Sequence, residues 1–204
     1  MELSVKARGL AVDGAFEFTP NTFPDDRGLF TSPFQEAAFT EATGHRLFTP
    51  AQTNHSRSRA GVVRGVHFTT TPPGCAKYVY CPRGAALDFV VDLRVGSPTF
   101  GQWDVVRVDP VDFRAVYFPV GLGHAFVALE DDTVMSYLVS SAYVAEHELA
   151  VHPLDPALGL ELPDGLEPLL SDRDTVAPTL AEAEAAGLLP RYEECLRLDR
   201  ELTA

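Results

Sequence analysis

The stretch AALDFVVDLR at residues 85–94 carries the clearest secondary-structure pattern in this chain. Leucine, phenylalanine and valine occupy every second position, and two aspartates, a valine and an arginine stand between them. Because successive side chains of a strand point to opposite faces, this alternation predicts a β-strand with one apolar and one mixed face. The turn residues 82–84 (PRG) precede it, so residues 77–80 (KYVY) are predicted to form its hairpin partner.

Outward from this strand, short apolar segments alternate with turns along much of the chain. The further predicted strands are 61–68, 103–108, 114–118, 124–129 and 133–139. Such spacing, with 15 glycines and 16 prolines spread along the chain, is typical of an all-β barrel or sandwich. Helices are predicted at 34–42, 179–188 and 191–202. We expect one domain over 1–204, with a barrel core at about 50–160 and a helical C-terminal segment at about 175–204.

The composition limits the classes of partner. The 204 residues carry a formal net charge of −13, which disfavours nucleic acid because phosphate binding needs a positive surface. No apolar run approaches the length of a membrane span, so no membrane partner is expected. The three cysteines show no CxxC spacing and are expected to be reduced thiols in a cytoplasmic protein.

Two short glycine–histidine motifs bracket the predicted strands. Gly61 precedes His67 by six residues, and Pro119 opens a Pro-x-Gly-x2-His segment that ends at His124. In this order they resemble the two motifs of the cupins, and the resemblance implies a jelly-roll barrel with both histidines on facing strands.

The metal ligands of many cupins are missing here. A third histidine would stand where this chain has Thr69, and no glutamate occurs between Glu41 and Glu130. Two imidazoles without carboxylate support are too few for a tight transition-metal site. We therefore expect no metal, and we disfavour a metal-dependent cupin oxygenase or isomerase.

A histidine in a metal-free cavity can move a proton near neutral pH. Arg64 lies three residues before His67, Lys77 lies ten residues after it, and Tyr137 lies in a later predicted strand. A base, a cation and a phenol on neighbouring strands suit the formation of an enolate. Two structural alternatives stay open, because Arg64 also suits an ion pair and Tyr137 also suits packing inside the barrel.

Longer segments carry a family resemblance. They are DRGLF at 26–30, QTNHS at 52–56, GVVRGVH at 61–67, VDLRVGSPTFGQW at 91–103, PVGLGHAF at 119–126 and LSDRD at 170–174. Together with Lys77 and Tyr137 they resemble the dTDP-4-dehydrorhamnose 3,5-epimerases from about residue 8 to about residue 180. The sequence looks most similar to the branch that serves antibiotic deoxysugars, such as the 5-epimerases of the vancosamine type.

The resemblance implies the partners and the site residues. The substrate would be a dTDP-linked 4-keto sugar, and the protein would be a homodimer that exchanges strands between subunits. His67 would be the base, polarised by Asp174 and not by the nearby Asp172, with Tyr137 as the opposing acid and Lys77 as the cation at the oxyanion. The substrate-binding residues would be Arg27, Phe30, Gln52, Asn54, Arg64, His124 and Tyr143.

The implied chemistry needs no cofactor, because the substrate's own ketone accepts the electrons. Loss of a hydrogen beside the 4-keto group gives an enolate, and return of a proton to the opposite face inverts the carbon.

Four departures from the family pattern bear on which carbon is inverted. Thr69 and Cys75 replace usual glutamines, Tyr80 replaces an arginine and Ser32 replaces a glutamate. These losses of polar groups suggest a less hydroxylated sugar, such as a 2-deoxy or 3-amino sugar, and favour inversion mainly at C5. The alternatives are a full 3,5-epimerase for rhamnose, a nucleotide-sugar-binding cupin without catalysis, and a ketoisomerase.

Overall fold

The computed structural model describes residues 4–203. Its strands are β1 (Val5–Gly9), β2 (Phe16–Pro20), β3 (Thr22–Asp25), β4 (Gly28–Thr31), β5 (Gln52–Ser58), β6 (Val63–Thr69), β7 (Lys77–Arg83), β8 (Ala86–Asp92), β9 (Trp103–Val108), β10 (Ala115–Phe118), β11 (Leu122–Ala128), β12 (Thr133–Val139) and β13 (Glu148–Ala150). Its helices are α1 (Glu36–Thr43), α2 (Asp172–Thr175), α3 (Leu180–Ala185) and α4 (Tyr192–Leu202), and a 3-10 turn spans Ala145–His147.

Two antiparallel sheets face each other and form the barrel. One sheet has the order β1-β2-β10-β7-β12-β5 and the other β13-β6-β11-β8-β9, while β3 and β4 form a separate two-stranded hairpin. Apolar side chains from both sheets fill the space between them, among them Val79, Val90, Phe126 and Met135. This arrangement confirms the predicted all-β, cupin-like jelly roll. The six-stranded sheet also takes in β1 and β2, which precede the barrel core predicted at 50–160.

The strand predicted at 85–94 is confirmed as β8, and the structure shows which of its faces points inward. Val90, from the mixed face, packs in the core between the sheets. Phe89 and Val91, from the apolar face, pack outward against the C-terminal segment, including Leu158 and Leu180. The more polar of the two faces of β8 therefore points into the barrel, where its polar side chains can contribute to a site.

The predicted hairpin between residues 77–80 and β8 is wrong. β7 pairs with β10 and β12 in one sheet, whereas β8 pairs with β9 and β11 in the other. The turn after β7 therefore carries the chain across the barrel. Gly84 has φ +76° there, and a Cβ on it would lie only 2.4 Å from Thr133 Oγ1. The alternation pattern was right for both strands, but such a pattern does not specify which strand is the neighbour.

The three predicted helices are confirmed as α1, α3 and α4. Thr179 and Glu182 form the reciprocal capping box at the start of α3. α1 and α4 cover the outer face of the six-stranded sheet, where Phe39 and Cys195 pack with Tyr78. Within residues 4–203, no helix combines the length and the apolar character needed to span a bilayer.

Candidate active site

A cavity of about 200 Å³ lies between the two sheets. Its walls include β5, β7 and β12 of the six-stranded sheet and β6 and β11 of the five-stranded sheet. Eight of the site residues predicted from the sequence line it, namely Gln52, Asn54, Arg64, His67, Lys77, His124, Tyr137 and Tyr143. Asp174 stands directly behind His67.

His67 and Asp174 form a close pair although 107 positions separate them in the chain. His67 Nε2 lies 2.6 Å from Asp174 Oδ1, with 30% of the histidine side chain exposed and 2% of the aspartate. Asp174 sits in the short helix α2, whose N-cap Ser171 accepts a hydrogen bond from the Asp174 amide through its hydroxyl oxygen. The pair therefore depends on a C-terminal turn docking against β6.

The charge on Asp174 decides which nitrogen of His67 is basic. Burial opposes ionisation of this carboxyl, but hydrogen bonds from His67, Ser171 and the Gly65 amide outweigh it and lower the pKa. An ionised carboxylate only accepts hydrogen bonds, so Nε2 of His67 carries the hydrogen that lies between them. Nδ1 is then the nitrogen with a free lone pair, and it can take a proton from a substrate.

A second histidine–aspartate pair lies deeper in the barrel. His124 faces His67 directly across the β6–β11 pairing, and its Nε2 lies 2.5 Å from Asp88 Oδ1. His124 is 6% exposed and Asp88 is fully buried. Burial lowers the pKa of His124 against the opposing effect of Asp88, and the charges of Lys77 and His67 lower it further. Within residues 4–203, Asp88 Oδ2 has no hydrogen-bond partner.

Close packing of β11 against β6 brings the two histidines together. Gly65 has φ +119°, and a Cβ at this position would lie 2.4 Å from the His124 carbonyl oxygen. Any other residue there would push the strands apart. In the part of the chain that is described, no three histidine, cysteine or carboxylate side chains converge as a metal site requires.

Tyr137 enters the cavity from β12, in the sheet opposite His67. Its hydroxyl lies 3.5 Å from Ser56 Oγ, and its ring packs edge-on to His124 at 5.7 Å between centroids. Burial raises the pKa of Tyr137, so the phenol keeps its proton at neutral pH. A protonated phenol across the cavity from His67 is placed to act as an acid.

Two cations in the cavity have no carboxylate partner among residues 4–203. Arg64 Nε donates to Ser58 Oγ at 3.2 Å, and no carboxylate of residues 4–203 lies within 4 Å of Arg64 or Lys77. The structural ion pair considered for Arg64 is therefore absent from the described chain. An adjoining cavity of about 400 Å³ adds Arg59 and Arg173, again without an ion pair among residues 4–203. In a protein of net charge −13, this cluster is suited to an anionic ligand.

Arg27 and Phe30 lie apart from this cavity. Both belong to the exposed β3–β4 hairpin, where the Arg27 side chain is 90% exposed and pairs with Asp25 at 2.6 Å. Phe30 is 54% exposed beside the exposed Leu29. Within one chain, the structure does not bring these two predicted residues to the site.

The site also contains side chains that were not predicted from the sequence, among them Asp88, Ser56 and Glu148. Asp88 had a usable signal, because a carboxylate on the interior face of a buried strand needs a partner. Ser56 could have been found from its alternation with Asn54 along β5. Glu148 gave no sequence signal, since it reaches the cavity only because the three-residue strand β13 pairs with β6.

The family model and the sequence relatives that match this chain all indicate the same protein family. The family model described as dTDP-4-dehydrorhamnose 3,5-epimerase matches residues 9–182. A protein of that name from Mycolicibacterium smegmatis is 53% identical over 93% of this chain and 92% of its own length. A dTDP-4-dehydro-6-deoxyglucose 3-epimerase from Streptomyces bikiniensis is 50% identical over 90% of this chain and 93% of its own length.

Solved structures agree with these sequence relatives. NovW, a 4-keto-6-deoxy sugar epimerase from the novobiocin gene cluster of Streptomyces spheroides, superposes with a TM-score of 0.90 at 50% identity, covering 94% of this chain and 96% of NovW. ChmJ, a 3'-monoepimerase from Streptomyces bikiniensis in complex with dTDP-quinovose, superposes with a TM-score of 0.89 at 48% identity, covering 95% of this chain and 97% of ChmJ.

Proposed function

Because this chain belongs to the dTDP-4-dehydrorhamnose 3,5-epimerase family, we propose that it inverts a carbon beside the keto group of a dTDP-4-keto-6-deoxyhexose, in deoxysugar biosynthesis for a natural product. The family makes it an epimerase of the isomerase class. The observation that carries the proposal is the His67–Asp174 contact at 2.6 Å on one wall of the cavity, with Tyr137 on the other.

His67 is the proposed base. A hydrogen on a carbon beside the ketone is acidic because its loss gives an enolate, and Nδ1 of His67 is the nitrogen free to remove it. Asp174 holds the ring in that tautomer and stabilises the imidazolium that forms. The partial exposure of His67 lets a substrate reach the ring.

Lys77 and Tyr137 complete the proposed reaction. The Lys77 ammonium, free of carboxylates among residues 4–203, stabilises negative charge as it develops on the keto oxygen. Tyr137 returns a proton to the carbon. Since His67 and Tyr137 come from facing sheets, a sugar between them loses its proton on one face and regains it on the other, which inverts the centre.

The mouth of the cavity suits the nucleotide. Arg64 supplies a guanidinium for the diphosphate, and Gln52 and Asn54 offer amide groups beside it. Tyr143 is 61% exposed, and its amide donates to Gln52 Oε1 at 3.1 Å, so the ring is held where a thymine can stack. The solved complex of ChmJ with dTDP-quinovose supports a dTDP-linked substrate.

We also propose that the protein is a cytoplasmic homodimer in which the β3–β4 hairpin reaches the partner's site. The exposed Leu29 and Phe30 would be covered there, and Arg27 would add a second guanidinium at the diphosphate. Mixing His67→Ala and Arg27→Ala subunits tests this, because each mixed dimer then contains one intact site. Recovery of activity on mixing is expected, and a mixture as inactive as its components would contradict hairpin exchange.

We further propose that C5 is the carbon that is inverted. The polar losses at Cys75, which lines the cavity, and at Thr69, on the same face of β6 as His67, favour C5. The loss at Tyr80 carries no weight, because Tyr80 packs with Tyr78 on the outer face of the six-stranded sheet. Inversion at C3 as well is the second candidate, because the relatives reported above are named for C3 alone or for both carbons.

Deuterium incorporation tests the proposed function. The protein is incubated with dTDP-4-keto-6-deoxyglucose in deuterated water, and the label is located by NMR. Label at C5 alone supports 5-epimerisation, and label at both carbons supports the 3,5-epimerase. If neither C3 nor C5 takes up deuterium, with this substrate or with a deoxygenated analogue, the enzymatic proposal would be overturned in favour of a binding protein.

A further inference from the structure

Among residues 4–203, one carboxylate lines the cavity, and neither the fold nor the proposed proton transfer assigns a role to it. Glu148 of β13 stands opposite Thr69 of β6, and its Oε1 accepts a hydrogen bond from Thr69 Oγ1 at 3.0 Å. Within residues 4–203, no other hydrogen bond and no cation within 4 Å reaches this side chain. Lys77 and Arg64 line the same cavity without neutralising it.

The register of β6 fixes where Glu148 stands relative to the base. Thr69 follows His67 by two positions, so both side chains lie on the same face of β6, about 7 Å apart along the strand. Ala150 is the partner of His67, and Glu148 is the partner of Thr69. Glu148 is therefore displaced from the base by about the span of a sugar ring with its substituents.

A pyranose ring placed over His67 presents different groups to Glu148 in its two reactive orientations. With C5 over the base, the ring atom across from it is C2, which bears a hydroxyl that can donate a hydrogen bond. With C3 over the base, the atom across the ring is the ring oxygen, which has no hydrogen to donate. An ionised carboxylate only accepts, so it favours the first orientation.

We propose that Glu148, held by Thr69, is a specificity-determining residue that accepts a hydrogen bond from the C2 hydroxyl of the sugar and thereby sets C5 over His67. This inference rests on the proposed function. It gives Thr69 a positive role, because a hydroxyl here orients a carboxylate where the family's usual glutamine would present its own amide. It also assigns a 2-hydroxylated sugar as the preferred substrate, in place of the 2-deoxy sugar suggested by the sequence.

The expected preference for a substrate with a C2 hydroxyl over one without it follows from the free-energy cost of leaving the Glu148 acceptor unpaired. A hydrogen bond to a charged group is worth enough for a loss of roughly 10- to 100-fold in kcat/KM when the substrate lacks the hydroxyl. If Glu148 only anchored β13, its substitution would change the stability and the overall rate without changing the ratio of kcat/KM between the two substrates.

The test compares dTDP-4-keto-6-deoxyglucose with its 2-deoxy counterpart in deuterated water. The enzymes are the wild type, Glu148→Ala, Glu148→Gln, Thr69→Val and the matched control Glu146→Gln, whose exposed side chain lies outside the cavity. The measurements are kcat/KM for deuterium incorporation with each substrate and the ratio of label at C5 to label at C3. Taking ratios within each variant removes any loss of folded protein from the comparison.

We expect the wild type to prefer the 2-hydroxylated substrate by roughly 10- to 100-fold. Glu148→Ala should bring that ratio close to one and shift label from C5 toward C3. Glu148→Gln and Thr69→Val should give intermediate ratios, and Glu146→Gln should match the wild type. The two milder variants keep the test decisive if Glu148→Ala fails to fold.

Two kinds of failure are distinguishable. Wild-type exchange without preference between the substrates, or a preference that persists in the Glu148 variants, would overturn the role of Glu148 and leave the epimerase standing. No exchange by the wild type with either substrate would overturn the proposed function itself, and this inference with it.

Discussion

The two histidine–aspartate pairs of the barrel have the same chemical groups in two different settings. His67 and His124 face each other across neighbouring strands, but Asp174 reaches His67 from the C-terminal segment while Asp88 reaches His124 from the adjacent strand β8. The first pair opens on the cavity with 30% of its imidazole exposed, and the second is almost fully buried.

This difference in exposure supports the proposed proton-transfer role for the His67 pair and indicates a structural role for the His124 pair. The His67 pair combines an accessible nitrogen with a carboxylate that many hydrogen bonds keep ionised, so it can accept a proton. The His124 pair is enclosed by Phe118 and Tyr137, and burial lowers the pKa of its imidazole. Its imidazole lines the cavity, and its buried hydrogen bond to Asp88 is expected to contribute mainly to the stability of the fold.

The largest effect is expected from removing the accessible imidazole. His67→Ala should reduce deuterium incorporation by roughly 10²- to 10⁴-fold, because the proposed base is removed. His147→Ala, outside the cavity, is the control. Full exchange in His67→Ala would show that His67 is not the base, and the proposed functional difference between the two pairs would then be wrong.

Removing the charge of Asp174 should give the next largest effect. Asp174→Asn is expected to lower kcat by roughly 10²-fold, since the amide no longer selects the tautomer of His67 or stabilises its cation. Asp172→Asn is a matched control two residues away on the same short helix. Equal losses in both variants would show that helix α2 matters only as a structural support.

The buried pair should respond in stability more than in catalysis. Asp88→Asn is expected to lower the free energy of unfolding by about 1–3 kcal/mol, because the buried hydrogen bond to His124 is weakened when its acceptor is neutral. Urea unfolding together with exchange assays measures both properties. An activity loss per folded molecule as large as that of Asp174→Asn would mean that both pairs take part in the chemistry.

The smallest effect concerns pH. Since the pKa of Asp174 is lowered in the folded protein, its stabilisation is present above the ordinary pKa of an aspartate and is lost as the pH falls through the lowered value. Unfolding free energies of the wild type and Asp174→Asn should therefore differ by on the order of 1 kcal/mol at neutral pH and converge in strong acid. A difference independent of pH would rule out ionisation of Asp174 as its source.

Much of the fold was accessible from local patterns. Alternation identified β8 and the strands around it, and the Thr179–Glu182 spacing identified the start of α3. Local patterns failed at the connection after β7, because alternation reports which faces a strand presents and not which strand lies beside it. The N-terminal strands β1 and β4 were missed because their side chains are largely exposed and lack strong alternation. β2 was missed although Phe16 and Phe18 alternate with polar residues.

By itself, the sequence determined the barrel class, the family, and eight of the residues that line the cavity. It did so because hydrophobic period and motif order are properties of the chain alone. The tertiary structure decided that β7 and β8 lie in opposite sheets, that Asp88 pairs with His124, and that Glu148 stands beside Thr69. These contacts join residues distant in the chain through strand register and docking, and no local pattern encodes such distances.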